Sequence, residues 1–477
     1  MIHWDYTAVI ILYLALTLGI ALYYGRKETK SVIDFTVGGR RFGIVVLFFT
    51  MLATMVGAAS TIGYTGWYWI RGVSQLWFVF GGVLAFAIFI YYLGPKINRF
   101  GFETGATTPG QWMEHRYGKL AKYITSILLI VAYLAITAFN YMAMGAILEA
   151  VTGIPYEWGL VAAAVIVTVY TSLGGLWSVA STDVLQGALS LIGLAILAPL
   201  LVMKAGGLGN IMASLPPQHL QPFGYVDPVT ALAYTLVFFL GILSWPDLWQ
   251  RVYAARDVKT MKKSFTLYIG AYLFLLAGLV LLIGLAGRVL YPDFPNPEHL
   301  LPYMVMEQLP GIFGAFIMAC LIAVIMGTAD STLLISAVMF EEDIYSDLKP
   351  KASEAERLKV GQIATFIGGI LVLVLAYVTP TMFDLWVKSA DITGATLAIP
   401  ILLGFAWKRP SYAAGMAGII AGFIGWALGY AGILGPHPII VGAILSLIAY
   451  LVVAFIAPSK PKQEKAEEKE ETVKEEK

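Results

Sequence analysis

The sequence predicts an all-α polytopic membrane protein with about thirteen transmembrane helices, and three observations carry that prediction. Of its 477 residues, 59% are hydrophobic and 13% charged, about half the charge of an average soluble domain. Mean hydropathy is +0.77. Uncharged runs at 124–148, 160–180 and 360–378 reach the roughly 18 residues that cross the hydrocarbon core. Comparable runs recur from end to end, so the chain reads as one transmembrane domain over 1–457. A single cysteine, Cys320, excludes a disulfide framework and a cysteine-ligated metal site.

Cutting at turn residues and charge clusters places helices near 7–25, 43–70, 73–94, 119–150, 156–176, 180–203, 227–250, 260–290, 309–340, 358–378, 382–406, 411–432 and 435–457. The first is read as a retained helix rather than a signal peptide, because Arg26, Lys27 and Lys30 follow it and no small-residue cleavage site does. With the N-terminus outside and the C-terminus cytoplasmic, 27 of the 31 basic residues fall on inner loops and the tail, Arg251 among them. Arg71, Lys204 and Arg288 remain outside, and Lys388 lies within a helix. Residues 458–477, mostly Lys and Glu, read as a disordered charged cytoplasmic tail.

Two helices carry breakers at depth. The second holds Gly57, Gly63 and Gly66 beside small polar residues, and the seventh holds Gly241 and Pro246. They stand five segments apart, so helices 2–6 and 7–11 would run in opposite senses, as the halves of an inverted repeat over about 43–203 and 227–406. Paired breaks in such a repeat are the best sequence pointer to a transporter's binding site. Close helix packing is the alternative use of those glycines.

Polar residues at depth narrow the site. Val324, Gly327, Thr328 and Ser331 share one face of helix 9. Hydroxyls there, with carbonyls freed in a broken helix 2, offer the oxygen ligands a hard cation such as sodium prefers. The alternative is that these hydroxyls only bond a carbonyl one turn back. Intramembrane charges are site candidates by default. They are Asp330, Asp183 (equally readable as an N-cap or first-turn residue) and the Lys388/Asp391 pair. Glu341, Glu342 and Asp343, at the end of helix 9, read as solvated.

Four stretches make the chain resemble the sodium:solute symporter family. They are Asp34-Phe-Thr-Val-Gly-Gly-Arg40, Thr108-Pro-Gly-Gln-Trp-Met-Glu-His-Arg-Tyr-Gly118, Tyr170-Thr-Ser-Leu-Gly-Gly-Leu-Trp-Ser-Val-Ala-Ser-Thr-Asp-Val-Leu-Gln186, and Gly327-Thr-Ala-Asp-Ser331 leading to Glu342-Asp-Ile-Tyr345. The resemblance implies a five-plus-five inverted-repeat core of the leucine-transporter type. It implies sodium held by carbonyls of Ala53, Val56 and Val324 and the Thr328 hydroxyl. Gly327 stands where many relatives have a second hydroxyl, leaving water, backbone or Asp183 to complete the shell. The solute site is expected near Gly57, Ala59, Ser60, Phe238 and Ile242, with Lys388 meeting a solute carboxylate and Asp391 beside it.

The function expected is sodium-coupled symport of a small organic solute (an amino acid, a monocarboxylate or a pantothenate-like acid) in the cell membrane. The partners implied are sodium, the solute and the lipid bilayer, with no nucleic acid and no cofactor. A proton-coupled carrier and a non-transporting solute sensor on the same scaffold are the alternatives. Five histidines near ends or loops form no nucleophile–base set, and no Walker loop is present, which argues against an enzyme and against ATP-driven transport.

Overall fold

The computed structural model describes residues 4–378, 382–407 and 411–457. The expected tail, with Lys408 and Arg409, lies outside the described residues. The described residues are helical and contain no strand. One isolated parallel bridge joins Phe42 to Ala255.

In chain order the helices are α1 (Trp4–Glu28), α2 (Val32–Val37), α3 (Ile44–Met55), α4 (Tyr64–Arg71), α5 (Leu76–Ile88), α6 (Gly94–Thr104), α7 (Pro109–Tyr117), α8 (Lys119–Thr152), α9 (Tyr156–Lys204) and α10 (Gly207–Ser214). The second half holds α11 (Pro228–Ser244), α12 (Pro246–Ala254), α13 (Val258–Tyr272), α14 (Leu281–Leu290), α15 (Leu300–Gln308), α16 (Gly311–Met339), α17 (Ser346–Leu348), α18 (Glu354–Val378), α19 (Met382–Ala406), α20 (Tyr412–Tyr430) and α21 (Pro438–Ile456).

Among the described residues ten helical stretches are long and apolar enough to cross a membrane, or eleven if α11 and α12 form one bent span. Thirteen were expected, and the difference has local causes. The expected second helix breaks after Met55, leaving α3 short, and its second half runs on with the third as one stretch, Ala59–Thr104. The expected fifth and sixth helices are joined in α9 and interrupted at Gly175, whose φ of 55° and ψ of −145° leave the helix. A side chain there would be strained and would also collide with Phe35.

The two predicted breaks are present. Val56 adopts φ −106°, ψ 89° between α3 and Ala59, and Trp245 adopts φ −65°, ψ 115° between α11 and α12, which bend by 45°. Pro246 explains the second break, because it cannot donate to the helix ladder and biases Trp245 toward extended backbone. Between these breaks runs α16, buried at every residue from Ile317 to Met339. It packs against α1, α3, α8 and α9. Large apolar side chains such as Leu12, Val131, Ile192, Leu371 and Phe455 are exposed, as lipid-facing residues must be.

The end of α16 corrects one expectation. Glu341, Glu342 and Asp343 are buried, not solvated. Arg357 pairs with Glu341 at 2.6 Å and Glu342 at 3.0 Å, while Asp343 accepts from Thr108 and Ser126, each at 2.6 Å. Thr108 also caps α7 in a reciprocal capping box with Gln111. These contacts tie α7, α8 and α18 to the end of the central helix.

Candidate functional site

The break in α3 and the break before α12 open onto one cavity. It is lined from α3 and the following turn by Thr54, Met55, Gly57, Ala58, Ala59 and Ser60. Tyr133, Ile136 and Asn140 of α8, Phe238 and Ile242 of α11, Trp245, Asp247, Tyr268, Tyr272 and Trp386 complete most of the wall. Thr328 and Thr332 of α16 form one side. The cavity is small, about 40 Å³, with room for a few waters. An organic solute of several heavy atoms enters only if the helices part.

Five expected solute residues, Gly57, Ala59, Ser60, Phe238 and Ile242, are in this wall. The polar groups around the break are locally engaged: Ser60 Oγ and Thr61 Oγ1 both reach the Gly57 carbonyl, and Asn140 Oδ1 accepts from the Ala58 N–H. Phe238 is held by Trp386 at 5.3 Å and Trp245 at 6.0 Å between ring centroids. Lys388 does not join them. Its side chain is exposed and its ammonium sits 5.3 Å from the Tyr430 ring centre, on α20. Asp391 is buried on α19 and is not among the residues lining the cavity, and its Oδ1 has no hydrogen-bond partner among the described residues.

Beside the cavity Thr328 Oγ1 stands 2.9 Å from the Thr54 carbonyl oxygen and 3.3 Å from that of Ala53. The hydroxyl therefore bonds across helices, not one turn back along its own. Thr332 shows the other pattern, donating to Thr328 O at 2.8 Å. By giving its proton to Thr54 O, Thr328 keeps its oxygen lone pairs for a cation. Gly57 is so close to Thr328 that any side chain there would overlap the threonine. Val324 is buried one turn before Thr328, and Gly327 faces Ala53. Of the expected sodium residues, Ala53, Gly327 and Thr328 meet beside the α3 break, Val56 forms that break, and Val324 lies one turn before Thr328.

Asp183 is elsewhere. It is neither a cap nor a first-turn residue but lies within α9, fully buried, accepting from Thr50 at 2.5 Å. Its companion is Arg251, which is not in a loop. Arg251 is fully buried on α12 and donates to Thr54 at 2.8 Å, Ser331 at 2.6 Å and Gln250 Oε1 at 2.8 Å. Ser331 is thereby engaged by the guanidinium and by Thr54, one turn beyond the Thr328 position. Asp330 accepts from Tyr170 at 2.6 Å. Sequence reasoning missed Arg251, Tyr133, Asn140, Trp245 and Asp247. Arg251 counted as a loop cation because it ends the motif after Pro246; a helix restarting at that proline was the signal that it lies inside.

A family model described as the sodium:solute symporter family matches residues 35–422. The sodium/pantothenate symporter of Escherichia coli (strain K12) is 28% identical over 459 residues, 93% of this chain and 95% of that protein. Sodium/proline symporter 2 of Staphylococcus saprophyticus is 26% identical over 471 residues, 93% of this chain and 91% of that protein. Among solved structures, the substrate-bound outward-open state of a Na+-coupled sialic acid symporter superposes with a TM-score of 0.84 at 21% identity, covering 96% of this chain and 98% of the other. A nucleobase-cation-symport-1 family transporter in a closed conformation gives 0.62 at 15%, covering 90% and 96%. The last two comparisons concern the fold, which is that of the leucine-transporter type. The family model extends over most of the chain, and the chain belongs to the sodium:solute symporter family, a family of transporters and not of enzymes.

Proposed function

We propose that this sodium-coupled symporter holds its ion at the carbonyls of Ala53, Val56 and Val324 and the Thr328 hydroxyl, and that its solute is a small organic acid. The observation that carries the ion site is the Thr328 hydroxyl lying across the broken end of α3, against the Ala53 and Thr54 carbonyls. Residues 43–203 and 227–406 form the two inverted halves of the core, the N-terminus is outside, and the C-terminus is cytoplasmic.

The solute sits in the adjoining cavity against Gly57, Ala59, Ser60, Phe238 and Ile242. Three residues of this wall carry a buried donor, Trp245 Nε1 and the Tyr268 and Tyr272 hydroxyls, with no hydrogen-bond partner among the described residues. Buried donors left unmatched cost about 1–3 kcal/mol each, so a ligand rich in acceptors is the natural complement. A carboxylate is such a group. The curated relatives are named for pantothenate and proline, both organic acids. Among the described residues no lysine or arginine lines the cavity, so the sodium ion at Thr328 supplies the compensating charge. Coupling follows, because the ion makes the carboxylate easier to bury and the carboxylate tightens the ion by the same factor. Sodium from outside stabilises the outward-open form, and closure around both ligands leads to the compact state.

Proteoliposomes under an inward sodium gradient test this with radiolabelled pantothenate, proline and short monocarboxylates against a neutral sugar. Saturable, sodium-dependent uptake of an acid is expected. Uptake of the sugar alone would refute the acid assignment.

A further inference from the structure

We propose that the side-chain oxygen of Gln186 is a ligand of the transported sodium ion and supplies the oxygen that Gly327 cannot. The proposal rests on the ion site assigned above to Thr328 and the α3 break.

Gln186 lies on α9, fully buried, and among the described residues the Tyr13 phenol beside it is the one candidate partner, with no hydrogen bond of full geometry to its amide oxygen or nitrogen. A buried carboxamide so poorly partnered is costly, and native folds rarely keep one without a use. Its direction is defined by Gly327. A Cβ on that glycine would stand 3.0 Å from Gln186 Oε1 and 3.0 Å from the Ala53 carbonyl oxygen. The two oxygens therefore converge on one spot above Gly327, no more than about 6 Å apart. Oxygen ligands of a calcium-sized hard cation stand at about 2.3–2.6 Å, so opposing ligands are roughly 5 Å apart. Thr328, the next residue on α16, brings its hydroxyl to the same Ala53 carbonyl.

A side chain at 327 could not do this work. Its Cβ would also fall 2.8 Å from the Ala53 Cβ, so α3 and α16 are closer than a serine hydroxyl at this position permits. The longer glutamine arm reaches the gap from a third helix. An amide oxygen also suits the task chemically, since it offers a strong dipole without a full charge and so holds an ion weakly enough to release it. Asp183, one turn earlier on α9, is held by Thr50 and faces Arg251 at 3.7 Å.

Tyr13 of α1 lies beside Gln186, and a bond to that phenol is the competing structural role. Binding of ²²Na⁺ to the purified protein separates the two without knowledge of the solute. Gln186→Leu is expected to weaken sodium binding about tenfold or more, with the melting temperature in sodium-free choline buffer unchanged. Gln186→Glu keeps an oxygen and is expected to bind at least as tightly as wild type. Tyr13→Phe is expected to stay within about twofold of wild type. Wild-type binding by Gln186→Leu together with loss in Thr328→Ala would overturn the glutamine ligand and leave the Thr328 site standing. Wild-type binding by Thr328→Ala would sink the site itself. A Tyr13→Phe defect equal to that of Gln186→Leu would show the amide to be structural. If Gln186→Leu fails to assemble, Gln186→Glu decides: folded protein that no longer binds sodium overturns the proposal.

Discussion

The Arg251 guanidinium approaches the Asp183 carboxylate to 3.7 Å, and neither side chain has any exposed surface. Thr50, Thr54, Ser331 and Gln250 surround the pair with hydrogen bonds. A buried ion pair of this kind is costly to break, because removing one partner strands the other charge. Arg251→Met is therefore expected to destabilise the protein by about 3–5 kcal/mol, read as a lower melting temperature in detergent. Arg251→Lys should rescue little, since an ammonium cannot span four acceptors in a fork. Partial recovery in Asp183→Asn/Arg251→Gln would confirm that the stranded charge is the cause. A wild-type melting curve for Arg251→Met would exclude it.

Thr328 makes a different prediction. Thr328→Val keeps the shape but loses the oxygen, and the sodium concentration for half-maximal uptake should rise about tenfold, the equivalent of roughly 1.4 kcal/mol. Thr328→Ser should stay near wild type. Equal sodium dependence in all three proteins would remove Thr328 from the ion site.

Gly57 is constrained by the same neighbour. A methyl group at Gly57 would overlap the Thr328 side chain, forcing α3 and α16 apart where the carbonyls must converge. Gly57→Ala is expected to reduce sodium-driven uptake at least about tenfold, a loss of roughly 1.4 kcal/mol in the relevant step. Surface expression should persist. Normal uptake kinetics in this variant would contradict the close approach.

Lys388, exposed over Tyr430, is expected to be dispensable for solute affinity. Lys388→Ala should leave the KM for solute within about twofold, whereas Phe238→Ala should raise it by about tenfold through loss of buried aromatic contact. A large KM change in Lys388→Ala with none in Phe238→Ala would move the solute site to α19.

His219 gives a pH prediction outside the membrane spans. Its ring is buried in the segment Pro217–Leu220, with Nε2 3.1 Å from the Trp69 carbonyl and Nδ1 2.7 Å from the Tyr225 hydroxyl. The carbonyl requires a proton on Nε2, which leaves Nδ1 to accept from Tyr225, so the pair of contacts suits the neutral ring. Burial pushes the imidazole below its usual 6.5. The unfolded chain therefore takes up the proton first as pH falls, and this contribution to stability is complete above pH 6.5 and lost below it. Melting temperature should fall between pH 7.5 and 5, and His219→Gln should flatten that fall. An unchanged pH profile in the variant would rule His219 out as its source.

The sequence made the membrane class legible because hydrocarbon tolerates few charges, and long uncharged runs have few other uses. The breaks at Gly57 and Pro246 were legible for a similar reason: glycine and proline act on the backbone locally. Thr328 could be singled out because a helix puts residues 324, 327, 328 and 331 on one face. Lys388 shows where such reasoning stops. Its position in an apolar helix marked it as functional, but only the packing of α19 against α20 decided that its ammonium faces Tyr430.

Arg251 and Gln186 show the same limit from the other side. Charge counting assigned Arg251 to a loop, because charge alone does not reveal that α12 restarts at Pro246 and carries the guanidinium inward. Gln186 is one polar residue in a long apolar run, and its significance depends on Gly327 and Ala53, more than one hundred residues away in either direction. Local backbone chemistry and hydropathy act over a few residues, so the chain by itself determined the membrane class, the two breaks and the hydroxyl face of α16. Partners brought together by helix packing are set by the whole fold, so only the tertiary structure decided which oxygens meet around Thr328 and which charges neutralise each other inside the bundle.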